Sequence, residues 1–136
     1  MQQTRINIHI PVVTVSELNS REHWTVKRRR HKLQQAAVRH EMAKIRTEIP
    51  LPCDITMTRV SYRTMDTDNL QGAFKYVRDE IAETLLPEYA ATYRDHLGRI
   101  RRKMGRADDD PRLKWHYAQE RGKGPLIKIS FSPLSE

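Results

Sequence analysis

Between Asp54 and Leu85 the sequence changes period once, and that change limits what the chain can become. Residues 54–64 are rich in Ile, Thr, Val and Tyr and read as a strand. From Leu70 the apolar residues Leu70, Phe74, Val77, Ile81 and Leu85 recur at spacings of four, three, four and four, which predicts an amphipathic helix stopping near Pro87. The handover is Met65-Asp66-Thr67-Asp68-Asn69-Leu70, with Asp68 as the natural N-cap. Two carboxylates two residues apart on a short strand-to-helix turn can serve a hard divalent cation. Such ions take oxygen ligands, usually one or two carboxylates completed by substrate phosphates and water. Taken alone, an Asp before a helix is more often an ordinary cap. The spacing is not that of an EF-hand, because Leu70 and Gln71 stand where a further ligand and the turn glycine belong.

Charge supplies the context. The 136 residues carry 25 Lys and Arg against 17 Asp and Glu, a net charge of +8 with a pI near 9.9. That balance favours a polyanionic partner over a membrane or a basic protein, and nucleic acid is the polyanion expected. A second acidic cluster, Asp108-Asp109-Asp110, interrupts the basic sequence; before Pro111 its default reading is a solvated turn. Acid pairs inside a basic protein fit a metal site working on a phosphate backbone. The run Lys27-Arg28-Arg29-Arg30-His31-Lys32 is by default a solvated helix face, and the net charge favours its contacting DNA. Trp24 beside it is a candidate stacking residue, whereas Trp115 and Tyr117 fit a core or a dimer contact better. His23, His31 and His40 have no metal-ligand companions at suitable spacing. No 18-residue apolar run and no signal-peptide pattern occurs, which predicts a cytoplasmic protein with no membrane contact. Cys53 has no second cysteine for a disulfide and reads as a small buried hydrophobe.

The remaining elements follow from pattern. Ile6, Ile8 and Ile10 alternate with polar residues, as in a half-buried strand, and Pro11 ends it or puts it on an edge. From Ser20 to Glu48 no Gly or Pro intervenes, and Leu33, Ala37, Val38, Met42, Ile45 and Ile49 form one stripe of a long helix. Its first half is too basic to be buried. Residues 87–106 are expected to form a basic helical insertion, from the spacing of Tyr89, Tyr93, Leu97, Ile100 and Met104, although Gly98 weakens it. Leu113, Trp115 and Tyr117, a Gly122-Lys123-Gly124-Pro125 turn, and Ile127, Ile129 and Phe131 predict a closing β-hairpin. Residues 1–136 thus read as a single α+β domain, a small mixed sheet packed against helices.

The run Arg63-Thr64-Met65-Asp66-Thr67-Asp68-Asn69-Leu70 with its helix, followed by Asp109-Asp110 leading into a strand, resembles the RusA family of Holliday junction resolvases. Asn19-Ser20-Arg21-Glu22-His23-Trp24 and Gln119-Glu120-Arg121-Gly122-Lys123-Gly124 resemble its phage-borne members. The similarity covers most of the chain except about 87–106. It implies a homodimeric endonuclease that cuts branched DNA, four-way junctions above all, in recombination and repair in a bacterial or phage-infected cell. Its cofactor would be Mg²⁺, with Mn²⁺ as the alternative. Asp66, Asp68 and one acid of the second cluster would be the ligands; aligning the strands that follow the clusters makes that acid Asp110, with Asp109 next. DNA contacts are expected from Arg21, Lys27, Arg28, Arg29, Arg30, Lys32, Arg63 and Lys123.

The sequence departs from the family at one position. The family places a lysine one helical turn after the second aspartate, where this chain has Gly72. Asp68, Gly72 and Lys75 share a helix face turned away from the apolar stripe, so Lys75 is the candidate substitute, with an electrostatic role in catalysis. Two alternatives stand beside the resolvase reading: a catalytically impaired branched-DNA-binding protein, and a metal-dependent nuclease acting on flaps, forks or RNA.

Overall fold

In the computed structural model, which describes residues 5–18 and 20–134, the chain forms one α+β domain. The elements in order are β1 (Ile6–Ile10), α1 (Trp24–Ile45), β2 (Cys53–Val60), α2 (Thr67–Ala73) and α3 (Lys75–Leu85). A 3₁₀ turn (Pro87–Ala90), β3 (Thr92–Arg94), β4 (Ile100–Arg102), a second 3₁₀ turn (Ala107–Asp109), β5 (Leu113–Glu120) and β6 (Leu126–Pro133) complete the chain. The main sheet is mixed, with strand order β1-β6-β2-β5; β2 and β5 are parallel and the other pairs antiparallel. Among the described residues no helix is long and apolar enough to cross a membrane.

One face of the sheet makes the core. Cys53, Ile55 and Met57 of β2 and Ile127, Ile129 and Phe131 of β6 are buried at every second position, the period of a strand packed on one side. Val38 and Met42 of α1 and Phe74, Val77 and Ile81 around α3 cover them. Cys53 is fully buried, as expected, and burial pushes its thiol up to about 11.

Several expectations are corrected. α1 starts at Trp24 with His23 as N-cap, and its inward face is Arg30, Gln34, Val38 and Met42, whereas Leu33 is 63% exposed. The basic half of the helix is therefore partly buried, through an arginine. The second strand ends at Val60, and the following helix starts at Thr67 with Asp66 in the N-cap position, so Asp68 lies in its first turn. That helix breaks at Phe74 (φ −95°, ψ 1°), with Gly72, a weak helix former, two residues earlier. Both halves keep Leu70, Phe74, Val77, Ile81 and Leu85 buried.

The segment from 87 to 106 is a 3₁₀ turn and a β-hairpin, not a helix. Gly98 (φ +76°) turns the chain, and Tyr93, Leu97, Ile100 and Met104 remain exposed instead of forming a buried stripe. The closing hairpin is also replaced: β2 lies between β5 and β6. The connection 121–125 has to bridge two strand spacings, roughly 9–10 Å, which a loop of that length can do. It passes over the end of β2, where Gly122 donates to the Ser61 carbonyl at 3.3 Å. A Cβ on Gly124 would lie 2.6 Å from the Val60 carbonyl oxygen, so the crossing needs glycine there.

Candidate active site

Asp66 and Asp68 sit beyond the carboxyl ends of the parallel pair β2 and β5, where open sheets tend to place their binding sites. The turn that presents them is held from below. In register on the two parallel strands, Arg59 and Gln119 stand side by side. Arg59 donates to the Arg63 carbonyl at 2.7 Å and to Thr14 Oγ1 at 3.1 Å. Gln119 accepts from the Met65 N–H at 2.8 Å and donates to the Met65 carbonyl at 2.7 Å. Asp66 is exposed and accepts from the Asn69 amide, while Asn69 Oδ1 accepts from Ser16 at 2.6 Å, tying the N-terminal segment onto α2. Asp68 is exposed as well, and no Lys or Arg among the described residues pairs with either acid. Carboxylates that no Lys or Arg engages, at a helix start, suit a hard cation that completes its shell with substrate phosphate and water.

Lys75 is exposed and lines a shallow cleft with Gln71, Gly72, Arg78 and Asp109. Asp108 closes one side of it. That acid is 5% exposed, with its carboxylate held by Arg78 Nε at 2.9 Å and Arg106 Nε at 3.2 Å. Arg78 also donates to Tyr117 Oη at 2.7 Å and stacks over Trp115 at 4.9 Å, which assigns both aromatics to structural work on this wall. Asp79 is raised, by burial first and by Asp108 second. Asp109 is 68% exposed, 3.9 Å from Arg78.

The acids do not converge. Asp110 turns to the opposite end of β5, where it accepts from Arg112 Nε at 3.0 Å and Tyr89 Oη at 2.5 Å and is 10% exposed. The Arg112 and Tyr89 hydrogen bonds hold its carboxyl well below the usual range. Asp109 is the acid of the cluster that lines the cleft with Lys75; it stands against Arg78 of α3, whereas Asp66 and Asp68 stand at the start of α2. Among the described residues no group of three His, Cys, Asp or Glu is arranged to hold a metal. Asp66 and Asp68 fit a Mg²⁺ or Mn²⁺ carried on one or two carboxylates with the substrate; Asp110 in its Arg112 pair does not.

The basic run divides. Arg30 is buried, its guanidinium on Glu17 at 2.9 Å and Glu22 at 2.7 Å, so its expected DNA contact is corrected to an internal ion pair. His31 joins it, 3.1 Å from Glu17 and stacked on Tyr76 at 3.6 Å. Trp24, Arg28 and Lys32 follow at every fourth position along the exposed side of α1, with Trp24 63% exposed and Lys27 half-buried beside them. Arg29 lines an apolar groove with Val13, Val26 and Leu33. Arg21, Arg63 and Lys123 are exposed. Asn19, part of the resembling N-terminal motif, lies outside the described residues.

Sequence reasoning missed Arg59, Gln119 and Arg78 as supports. Arg59 left a signal: it continues the inward phase of Cys53, Ile55 and Met57, where an apolar residue would be expected. Burial alone lowers its pKa, with no carboxylate of the described residues opposing that. Comparison of the sequence with protein-family models and with curated proteins finds no match.

Proposed function

We propose that the protein is a metal-dependent endonuclease of the RusA type, which hydrolyses phosphodiester bonds in branched DNA such as four-way junctions. The observation that supports this best is the presentation of Asp66 and Asp68: two exposed, cation-free carboxylates on a turn fixed by Gln119 and Arg59 at the carboxyl end of a parallel strand pair. Asp66 and Asp68 would hold Mg²⁺ or Mn²⁺, which when bound supplies Lewis-acid polarisation of the phosphoryl oxygen and an activated water. Lys75, exposed in the cleft beside Gln71 and Gly72, would stabilise charge that develops on the phosphate. Arg28 and Lys32 on α1, with Lys27, Arg21, Arg63 and Lys123, hold the backbone and make binding salt-dependent, and Trp24 beside them offers a stacking face. A four-way junction has local two-fold symmetry, so a two-fold homodimer suits paired incision.

The test is cleavage of a synthetic four-way junction, a fork, a flap and a linear duplex at fixed salt, with Mg²⁺ and with chelator. Metal-dependent nicking of the branched substrates, abolished by Asp68→Asn while junction binding and thermal stability persist, is the expected result. Full cleavage by Asp68→Asn would exclude this site.

A second reading is favoured by Asp110. With that carboxylate engaged by Arg112 and Tyr89, and with Gly72 in place of the family lysine, the protein would bind branched DNA without cutting it. Junction binding with no nicking in Mg²⁺ or Mn²⁺ would establish it.

A further inference from the structure

Residues 91–106 leave the domain as a ribbon, β3 and β4, whose every strand residue is exposed. A two-stranded ribbon with neither face covered is marginal in water, so its shape has to come from local bonds. Asp95 supplies them. Its carboxylate accepts from the Leu97 and Arg99 N–H groups, both at 2.9 Å, and from the guanidinium groups of Arg99 at 3.0 Å and Arg101 at 3.1 Å. Arg94 donates to the Gly98 carbonyl at 2.9 Å, and Lys103 N–H closes the base on the Ala91 carbonyl at 3.0 Å. The tip is thereby braced, yet its side chains bury nothing within the chain.

Those side chains are apolar. Leu97 is 64% exposed, Ile100 65% and Tyr93 47%. Tyr93 pairs with Arg101 and Ile100 with Arg94, so each face of the ribbon shows one apolar residue beside an arginine. Exposed apolar groups grouped on a braced projection mark a contact surface. Charge selects the partner: Arg94, Arg99, Arg101, Arg102, Lys103 and Arg106 stand against Asp95 alone between 91 and 106. Arg99 and Arg101 share Asp95, Arg102 and Arg106 reach Glu83 and Asp79, and Arg94 and Lys103 are in no ion pair among the described residues. A polyanion answers the cations. An intact duplex backbone, however, offers nothing to Leu97 and Ile100, whereas base steps opened at a branch do.

We infer that the β3–β4 hairpin is a wedge that inserts Leu97 and Ile100 at the branch point of branched DNA while Arg94 and Lys103 hold the flanking phosphates. This rests on the reading of the protein as a branched-DNA nuclease, and it assigns branch selectivity to a segment separate from Asp66 and Asp68. The wedge opens or captures unstacked bases, and the cost of unstacking is lowest where the duplex is already interrupted.

The experiment uses the full chain in chelator, a four-way junction with 2-aminopurine at the branch, and a linear duplex of the same sequence. Binding to the junction raises the fluorescence. Leu97→Ser/Ile100→Ser removes the rise and weakens junction binding about tenfold or more, while duplex affinity stays within about twofold. Both positions are exposed, so the thermal midpoint is unchanged; Leu97→Ala alone gives the same direction. A double variant that keeps the rise and the affinity overturns the wedge but not the nuclease. The wedge also falls if the variant binds DNA normally yet changes from dimer to monomer in sedimentation, which makes the hairpin a contact between copies. Wild-type protein that binds neither DNA overturns both readings.

Discussion

Gln119 grips Met65 by both of its peptide groups, at 2.8 Å and 2.7 Å, and so fixes from β5 the residue that precedes Asp66. Net worth is about 0.5–1.5 kcal/mol for each such hydrogen bond, so Gln119→Leu should cost about 1–3 kcal/mol, read as a lower urea midpoint. Its effect on function is expected to exceed its effect on affinity. The freed turn lets Asp66 and Asp68 drift, and loss of position of even an ångström penalises chemistry heavily. Single-turnover cleavage should therefore slow while the junction Kd holds; equal loss in both would reduce Gln119 to a folding residue.

Arg30 and its neighbours Lys27 and Arg28 look alike in the sequence and should behave oppositely. Arg30 is 9% exposed and serves Glu17, itself 12% exposed. Arg30→Ala leaves that carboxylate with His31 alone and should cost about 1–3 kcal/mol. Lys27→Ala/Arg28→Ala should leave the unfolding midpoint in place but reduce the salt slope of DNA binding by about two, one unit for each phosphate contact. An unchanged slope would mark these two as solvated surface.

Acid should weaken the fold through Asp110 and Glu17. Hydrogen bonds from Arg112 and Tyr89 hold Asp110 low. Glu17 is pushed up by burial, but the hydrogen bonds from Arg30 and His31 outweigh it and leave it lowered. With folded values below the unfolded ones, the unfolded chain takes up protons first as pH falls. The stability from both groups is thus complete above the unfolded carboxylate range of about 4 and is lost as pH drops through the folded values. Asp79, raised by burial and by Asp108, slopes the other way. The informative measurement is the difference between wild type and Asp110→Asn in urea midpoint against pH: it should be largest near neutrality and shrink below about pH 4.

Periodicity made the α+β domain legible, because Ile6–Ile10, Leu70–Leu85 and Ile127–Phe131 each bury one clean phase. It failed where polar residues took over inward positions or where apolar ones served no core. Arg30 and Gln34 fill the inner face of α1 by pairing with Glu17 and the Val13 carbonyl, so hydrophobicity alone rotated the expected stripe toward Leu33. Tyr93, Leu97 and Ile100 mimic helical spacing although Asp95 and Gly98 build a turn between them. Strand order was hidden for another reason: β5 and β6 are neighbours in sequence, and only the tertiary fold inserts β2 between them. At the candidate site, the strand-to-helix position of Asp66 and Asp68 was readable. The partition of Asp108, Asp109 and Asp110 was not, since it is decided by Arg78, Arg106 and Arg112, which the sequence does not pair with them.

Lys75 carries the last prediction. It faces the cleft that also holds Asp109, whereas Gly72, where the RusA family that the sequence resembles carries a lysine, packs against Leu18, whose Cγ would lie 3.4 Å from an added Cβ. If the proposed nuclease reading holds and Lys75 supplies the charge that RusA-type enzymes draw from one turn earlier, Lys75→Ala should slow junction cleavage on the order of 10²-fold, the usual cost of one preorganised stabilising group. Junction affinity should fall far less, because Lys75 is one cation among the many of a chain carrying +8. Gly72→Lys should then add little, since its side chain has to leave past Leu18. The opposite pattern, a silent Lys75→Ala and a Gly72→Lys that raises the rate, would show that the site lacks its electrostatic helper and would move the balance toward a protein that binds branched DNA without cutting it.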